Sequence, residues 1–333
     1  MKGTTMHIPE NYLSPSTCAV TTVAMVPIWV TAVKKVRETV PKEKMPLLGV
    51  AAAFCFLSMM FNIPLPGGTT GHAVCGTLIA ILFGPWAAVL AVSIALAIQA
   101  VFFGDGGILA LGANCLNMAF VLPFVGYTIY SFLKERIPGE RGDIIAAGIG
   151  SYVGLNAAAL CAALEFGIQP LLFTDAAGNA LYCPYPISVA VPSMLLGHLT
   201  VAGLAEAGFT MGILTFLHSY APSFGISDAT GTDNKVVPVL ALVGALIAAT
   251  PLGLLATGDA WGEWGLEDLA EMVGYEPAGM AGGWEWSSLM PDYAIGGLPE
   301  WIGYILSAVI GAGMLIIFFR LFGNASKSSV SFD

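Results

Sequence analysis

The sequence predicts an all-α integral membrane protein of about nine transmembrane helices, a seven-helix core followed by a two-helix C-terminal extension. Three observations carry that prediction. Of 333 residues, 56% are hydrophobic and only 10% are charged, with a mean hydropathy of +0.80. A soluble domain carries about 25% charged residues, so this chain cannot cover a soluble surface. Apolar runs of the ~17–25 residues that a bilayer requires recur along its whole length. The lysines and arginines sit in short clusters between those runs, as expected of cytoplasmic loops.

Segment 1–17 is polar. MHIPENYLSPST (Met6–Thr17) cannot pack a core by itself, and MKGTT ahead of it has one lysine but no apolar stretch. No cleavable signal peptide is expected, so the first apolar run stays in the membrane. Spans follow near 18–36, 46–63, 86–103, 108–133, 143–168, 188–218, 237–256 and 298–320. A shorter piece, 72–83, stops at Gly84-Pro85, a helix-breaking pair.

Charge decides whether 72–83 crosses. Lys34, Lys35, Arg37, Lys42 and Lys44 lie between the first two spans, and Lys134, Arg136 and Arg141 between 108–133 and 143–168. Lys235 precedes the penultimate span; Arg320 and Lys327 follow the last. All of these share one side only if 72–83 crosses, which leaves Lys2 alone outside. The N-terminus is then external and the C-terminus cytoplasmic. The chain divides into an N-terminal segment (1–17), a membrane core (18–220), a cytoplasmic linker (221–236) and an extension (237–333) with an external acidic loop (257–297).

This topology brings three segments to one face: the start of the chain with His7, NIPLPGGTTGHAV with His72, and FFGDGG with Asp105. In a chain beginning at Met6, the free amine, the His7 backbone nitrogen and the His7 imidazole form fused chelate rings. His72 supplies a fourth nitrogen. Such a set suits Ni(II), Cu(II) or low-spin Co(II). Gly67, Gly68 and Gly71 let the backbone come close to a bound group. The loop 257–297 carries Asp259, Glu263, Glu267, Asp268, Glu271, Glu276, Glu285 and Asp292 without a lysine or arginine. It either solvates an external surface or concentrates cations.

Other features are plainer. His198 and Glu206 lie inside the span 188–218, and His218 at its cytoplasmic end. An ionisable residue in the membrane implies function by default, though Glu206 could equally face a polar seam. Gly49 and Ala53 have the small-xxx-small spacing of close helix packing. The six cysteines form no C-x-x-C pair and read as inert thiols. No P-loop is present, so ATP is not bound here. There is no soluble domain large enough for an enzyme and no basic patch for nucleic acid. A channel or proton-coupled carrier with Glu206 as relay is one rival to a metal-capturing subunit. An intramembrane metalloenzyme is another, but no H-E-x-x-H supplies its base.

MHIPENYLSPST, PGGTTGH and LFGPWAAVLAVSIALAIQAVFFGDGGILALGANCLNMA together closely resemble the CbiM/NikM family, over about residues 6–220. These are the substrate-binding (S) components of energy-coupling-factor transporters for cobalt and nickel. TPLGLLATGDAWGEWGLEDL with MPDYAIGGLPEWIGYILSAVIGAGM resembles the PDGLE domain, laid out like CbiN as two spans around an external loop. The resemblance implies metal ligation by Met6, His7 and His72. It matches Asp105, Asn114 and Asn117 to the family's GDGG…GAN…NM segment, where they either orient the N-terminal loop or satisfy helix ends. It implies a transmembrane CbiQ-like T component and a cytoplasmic CbiO-like ATPase as partners in the bilayer. The ion is cargo, Co(II) or Ni(II), with cobalt feeding cobalamin synthesis, and no resident cofactor is expected. With MKGTT attached, Met6 has only an amide, so a start at Met6 is expected.

Overall fold

Ser14 begins the first long helix. Its Oγ accepts a hydrogen bond from Thr17 N–H (3.1 Å), and Pro15 takes the first helical position, where a missing N–H costs nothing. This helix, α1 (Pro15–Thr39), opens a computed structural model that describes residues 7–222, 224, 236–256 and 258–325. Met6 and most of the 221–236 linker lie outside the described residues.

After α1 come α2 (Met45–Met59) and an antiparallel hairpin, β1 (Ile63–Leu65) with β2 (Thr69–Gly71), in which Ile63 faces Gly71. A short α3 (Gly76–Phe83) turns at Gly84 (φ 89°) directly into α4 (Pro85–Phe103). Then follow α5 (Leu111–Lys134), α6 (Glu140–Leu172), α7 (Ile187–Tyr220), α8 (Val237–Leu255), α9 (Leu266–Val273) and α10 (Glu300–Ala325). The all-α membrane architecture is the expected one.

The helix count differs in detail from nine full spans. Seven helices among the described residues are long and apolar enough to cross: α1, α4, α5, α6, α7, α8 and α10. The other two expected spans are short. α2 has 15 residues and α3 has 8. Eight residues rise about 12 Å, well under a ~30 Å hydrocarbon core. α3 is instead approached by non-helical backbone at 72–75. Irregular backbone survives at such depth only when protein satisfies it, and here α7 does so.

α2 is buried on nearly every side and packs against α10. A Cβ on Gly49 would meet Ile316 Cα at 3.0 Å and Phe319 Cβ at 3.1 Å. The small-residue face therefore serves a contact inside the chain. α1 presents Val20 (69% exposed), Val23 (69%) and Val30 (65%) outward, a surface that belongs in lipid. At the end of the bundle holding the basic clusters, Lys134 pairs with Asp143 (2.9 Å), His218 faces Asp143 (3.7 Å) and Arg37 lies over the Phe322 ring (5.2 Å). The six cysteines are free thiols.

Three helices widen into π-helical turns: Gln99–Phe103 in α4, Cys115–Val121 in α5 and His198–Ala202 in α7. Such turns are rare and cluster at functional sites. They carry Gln99, Asn117 and His198 toward the opposite end of the bundle, where the N-terminal segment folds inward.

Candidate metal centre

Residues 7–13 form a hook that dives into the protein. His7 is 2% exposed, and Ile8, Tyr12 and Leu13 join α5, α6, α7 and α9 in a second apolar core. Burying three such side chains contributes about 1.5–3 kcal/mol each. Ordering seven residues costs about 1–2 kcal/mol each. The two are comparable, so polar anchors decide whether the hook stays docked. Asn114 supplies two: its Oδ1 accepts from Ile8 N–H (3.0 Å) and its Nδ2 donates to Ile8 O (3.1 Å). Glu10 accepts from the N–H groups of Ile108 (2.6 Å) and Leu109 (3.2 Å). Gly106 (φ 89°) makes room, since a Cβ there would sit 2.9 Å from His7 Cβ. Asn114→Ala strands the buried Ile8 N–H at about 1–3 kcal/mol. The affinity of the centre for a divalent transition-metal ion is expected to fall roughly 10- to 100-fold with both histidines intact, read by calorimetric titration.

The hook brings His7 to His72, their ring centres 5.1 Å apart and their planes at 74°. His7 Nδ1 lies 3.1 Å from Asp105 Oδ1. His72 Nδ1 lies 3.3 Å from Ala73 O, and His198 Nδ1 2.8 Å from Met194 O. A carbonyl or carboxylate only accepts, so each Nδ1 carries a proton and the neutral ring keeps its lone pair on Nε2. All three imidazoles are thus held in the tautomer that binds a metal through Nε2. His7 Nε2 is buried and makes no hydrogen bond. Asp105 is fixed in turn by Tyr293, whose O–H donates to Oδ2 (2.7 Å) and accepts from Gln99 Nε2 (2.9 Å). Burial and the neighbouring Asp105 push the Tyr293 hydroxyl well above its ordinary range.

A fused ring with the His7 backbone nitrogen closes only through Nδ1. In this conformation Nδ1 faces Asp105, so that chelate requires the imidazole to turn over about χ2. Among the described residues, no three His, Cys, Asp or Glu side chains stand close enough together to hold an ion unaided. A full donor set therefore draws on backbone nitrogen, on Met6, or on a shift of the lining residues.

A cavity of about 80 Å3 lies beside the histidine pair, lined by His7, His72, His198, Asn114, Asn117 and Glu263. That volume accepts a cation with some of its water. Asn117 Nδ2 donates to Glu165 Oε2 (2.7 Å), while its Oδ1 is buried without a partner. The stretch 258–264 of the extension roofs the cavity. Thr70 N–H donates to Asp259 O (3.0 Å), Thr70 Oγ1 donates to Gly258 O (2.7 Å), and Tyr12 O–H donates to Trp264 O.

Behind His72 stands Glu206. Its carboxylate accepts from Val74 N–H (2.6 Å) and from Cys75 N–H (3.0 and 2.9 Å). Cys75 takes a left-handed conformation (φ 60°, ψ 22°), at a cost of about 1–3 kcal/mol for a side chain other than glycine. Glu206 thereby satisfies the backbone at 74–75 and starts α3.

Among the residues singled out from sequence, His7, His72, Asn114 and Asn117 line one cavity and Asp105 braces His7; Met6 lies outside the described residues. His198, Glu263 and Tyr293 were not assigned to the centre. His198 carried a signal as an ionisable group within a span, and Glu263 as one acid of the loop 257–297; Tyr293 carried none.

Residues 7–224 match the family model described as the cobalt uptake substrate-specific transmembrane region, CbiM, and residues 235–328 match the PDGLE domain. The chain is 48% identical to the fused nickel transport protein NikMN of Rhodobacter capsulatus, over 93% of this chain and 95% of that protein. It is 46% identical to the probable fused nickel transport protein LarMN of Lactiplantibacillus plantarum, over 95% and 97%. Among solved structures it is similar to a truncated transition metal transporter, with a TM-score of 0.61 and 52% identity over 64% of this chain and 99% of that one.

Proposed function

Because the chain belongs to the CbiM family and carries a PDGLE domain at its C-terminal end, we propose that it is the substrate-capturing membrane component of an energy-coupled importer of Ni(II). The observation that carries this reading is the roofed cavity with two imidazoles 5.1 Å apart, set with their lone pairs on Nε2. His7 and His72 bind the ion, and the Met6 amine completes the set when it is free. Asp105 orients His7, Asn114 fixes the hook, and Asn117 lines the cavity beside them. The hook and the acidic loop face outward, where the ion arrives, and the basic clusters face the cytoplasm. Nickel is preferred because the relatives that span both parts of the chain are named for nickel. Cobalt, for which the matching family model is named, is the second reading, with cobalamin synthesis as its destination.

The chain has no phosphate-binding loop, so ATP hydrolysis falls to a CbiO-like ATPase joined through a CbiQ-like T component. The autonomous-carrier alternative needs Glu206 free to exchange a proton. Its attachment to two N–H groups favours a fixed strut instead. In liposomes, the chain alone is expected to bind radioactive nickel at the His7–His72 centre and to accumulate substantially less than the chain with its T component, ATPase and ATP. Equal accumulation in both preparations overturns the coupled reading.

A further inference from the structure

One carboxylate in the cavity has no structural employment. Glu263 is 8% exposed, and its Oε2 is buried without a hydrogen-bond partner. It lines the same cavity as His7 and His72, yet it belongs to the C-terminal extension. The chain carries no lysine or arginine from 45 to 133, from 142 to 234 or from 236 to 319. Among the described residues, the ion pairs of Lys34, Lys35 and Lys134 lie in the basic loops rather than at the cavity. Asp105 and Asp259 add like charge nearby. Burying a carboxylate is costly, and a bound cation is one group that offsets that cost.

The backbone holds Glu263 in place. Gly262 takes a left-handed turn (φ 85°), and Glu263 N–H donates to Ala260 O (3.1 Å). Ala260 is itself bridged to Thr70, two residues before His72. The carboxylate is thus presented from the roof, across the cavity from the hook.

We propose that Glu263 is an oxygen ligand which the extension contributes, by a shift of the roof toward the His7–His72 pair, to the divalent cation bound there. This rests on the metal-capturing reading above and extends it to the second part of the chain. The roof then does more than exclude water, because it supplies a donor. An added carboxylate turns a planar nitrogen set into a mixed nitrogen–oxygen set. That set is friendlier to Co(II) and Ni(II) in higher coordination and less selective for square-planar Cu(II).

The test uses the purified full chain, loaded with Ni(II) or Co(II). X-ray absorption of the nickel-loaded parent is expected to require an oxygen donor beside the nitrogens. Glu263→Gln, close in shape and neutral, is expected to weaken nickel binding about tenfold or more and to shift the visible bands of bound Co(II). The melting temperature of its metal-free form should not fall, since no ion pair is lost. An all-nitrogen shell in the parent overturns the proposal whatever the variant does. So does a Glu263→Gln protein with unchanged affinity and unchanged cobalt spectrum. A parent chain that binds neither metal overturns the underlying transport reading instead.

Discussion

His72→Ala is expected to abolish tight nickel binding, lowering affinity by more than about 100-fold, because even outer-sphere partners of a metal cost 10–100-fold when removed. His7→Ala should behave alike. The two rings meet at 5.1 Å from segments 65 positions apart, and each depends on a different support. His7 depends on the hook and Asp105, His72 on the backbone that Glu206 secures. His72 fills no apolar core position, so the metal-free melting temperature of its variant should change little, whereas His7→Ala also takes the imidazole from buried Asp105 and should melt somewhat lower. Calorimetric titration of both variants checks this, and stoichiometric binding retained by both refutes the centre.

Glu206→Ala is expected to give the opposite pattern, with stability and binding lost together. Two buried N–H groups lose charge-assisted bonds worth about 1.5–3 kcal/mol each. The left-handed turn at Cys75 loses its support, and His72 loses its position. Glu206→Gln should fall between, because an amide offers one accepting oxygen where the carboxylate offers two. A proton relay predicts otherwise: Glu206→Gln would fold and bind normally and fail only in transport. Thermal melting and nickel titration on the same samples separate the two roles.

These two residues also show how far the sequence could be read. His72 stood out by its type, its glycine-rich approach and its side of the membrane, all of them local or topological signals. Glu206 stood out as an ionisable group in a span, but its purpose depends on Val74 and Cys75, more than 130 positions away. The same long-range bond explains why α3 is short. The charge parity of the loops indicated a crossing at 72–83, whereas the non-helical approach required knowing what would satisfy its backbone. Glu263 was harder still. In sequence it is one of eight acids in an arginine- and lysine-free loop. Glu267, Glu271, Glu276, Glu285 and Asp292 remain exposed, and only the docking of 258–264 on Thr70 separates Glu263 from them.

The three π-helical turns impose a constraint on chain length. A π turn closes i to i+5 and so holds one residue more than the α-helix that would replace it. Deleting a single residue within 99–103, 115–121 or 198–202 lets that turn close as an ordinary α turn, so the helix on either side keeps its register. Deleting one residue elsewhere in these helices instead rotates everything beyond it by about 100°. Inside the windows the loss falls on the turn itself: Gln99, Asn117 or His198 loses the widened backbone that now presents it, while composition and hydropathy barely change. A chain one residue shorter in any of these windows would keep its long helices in place and lose the presentation of one polar group.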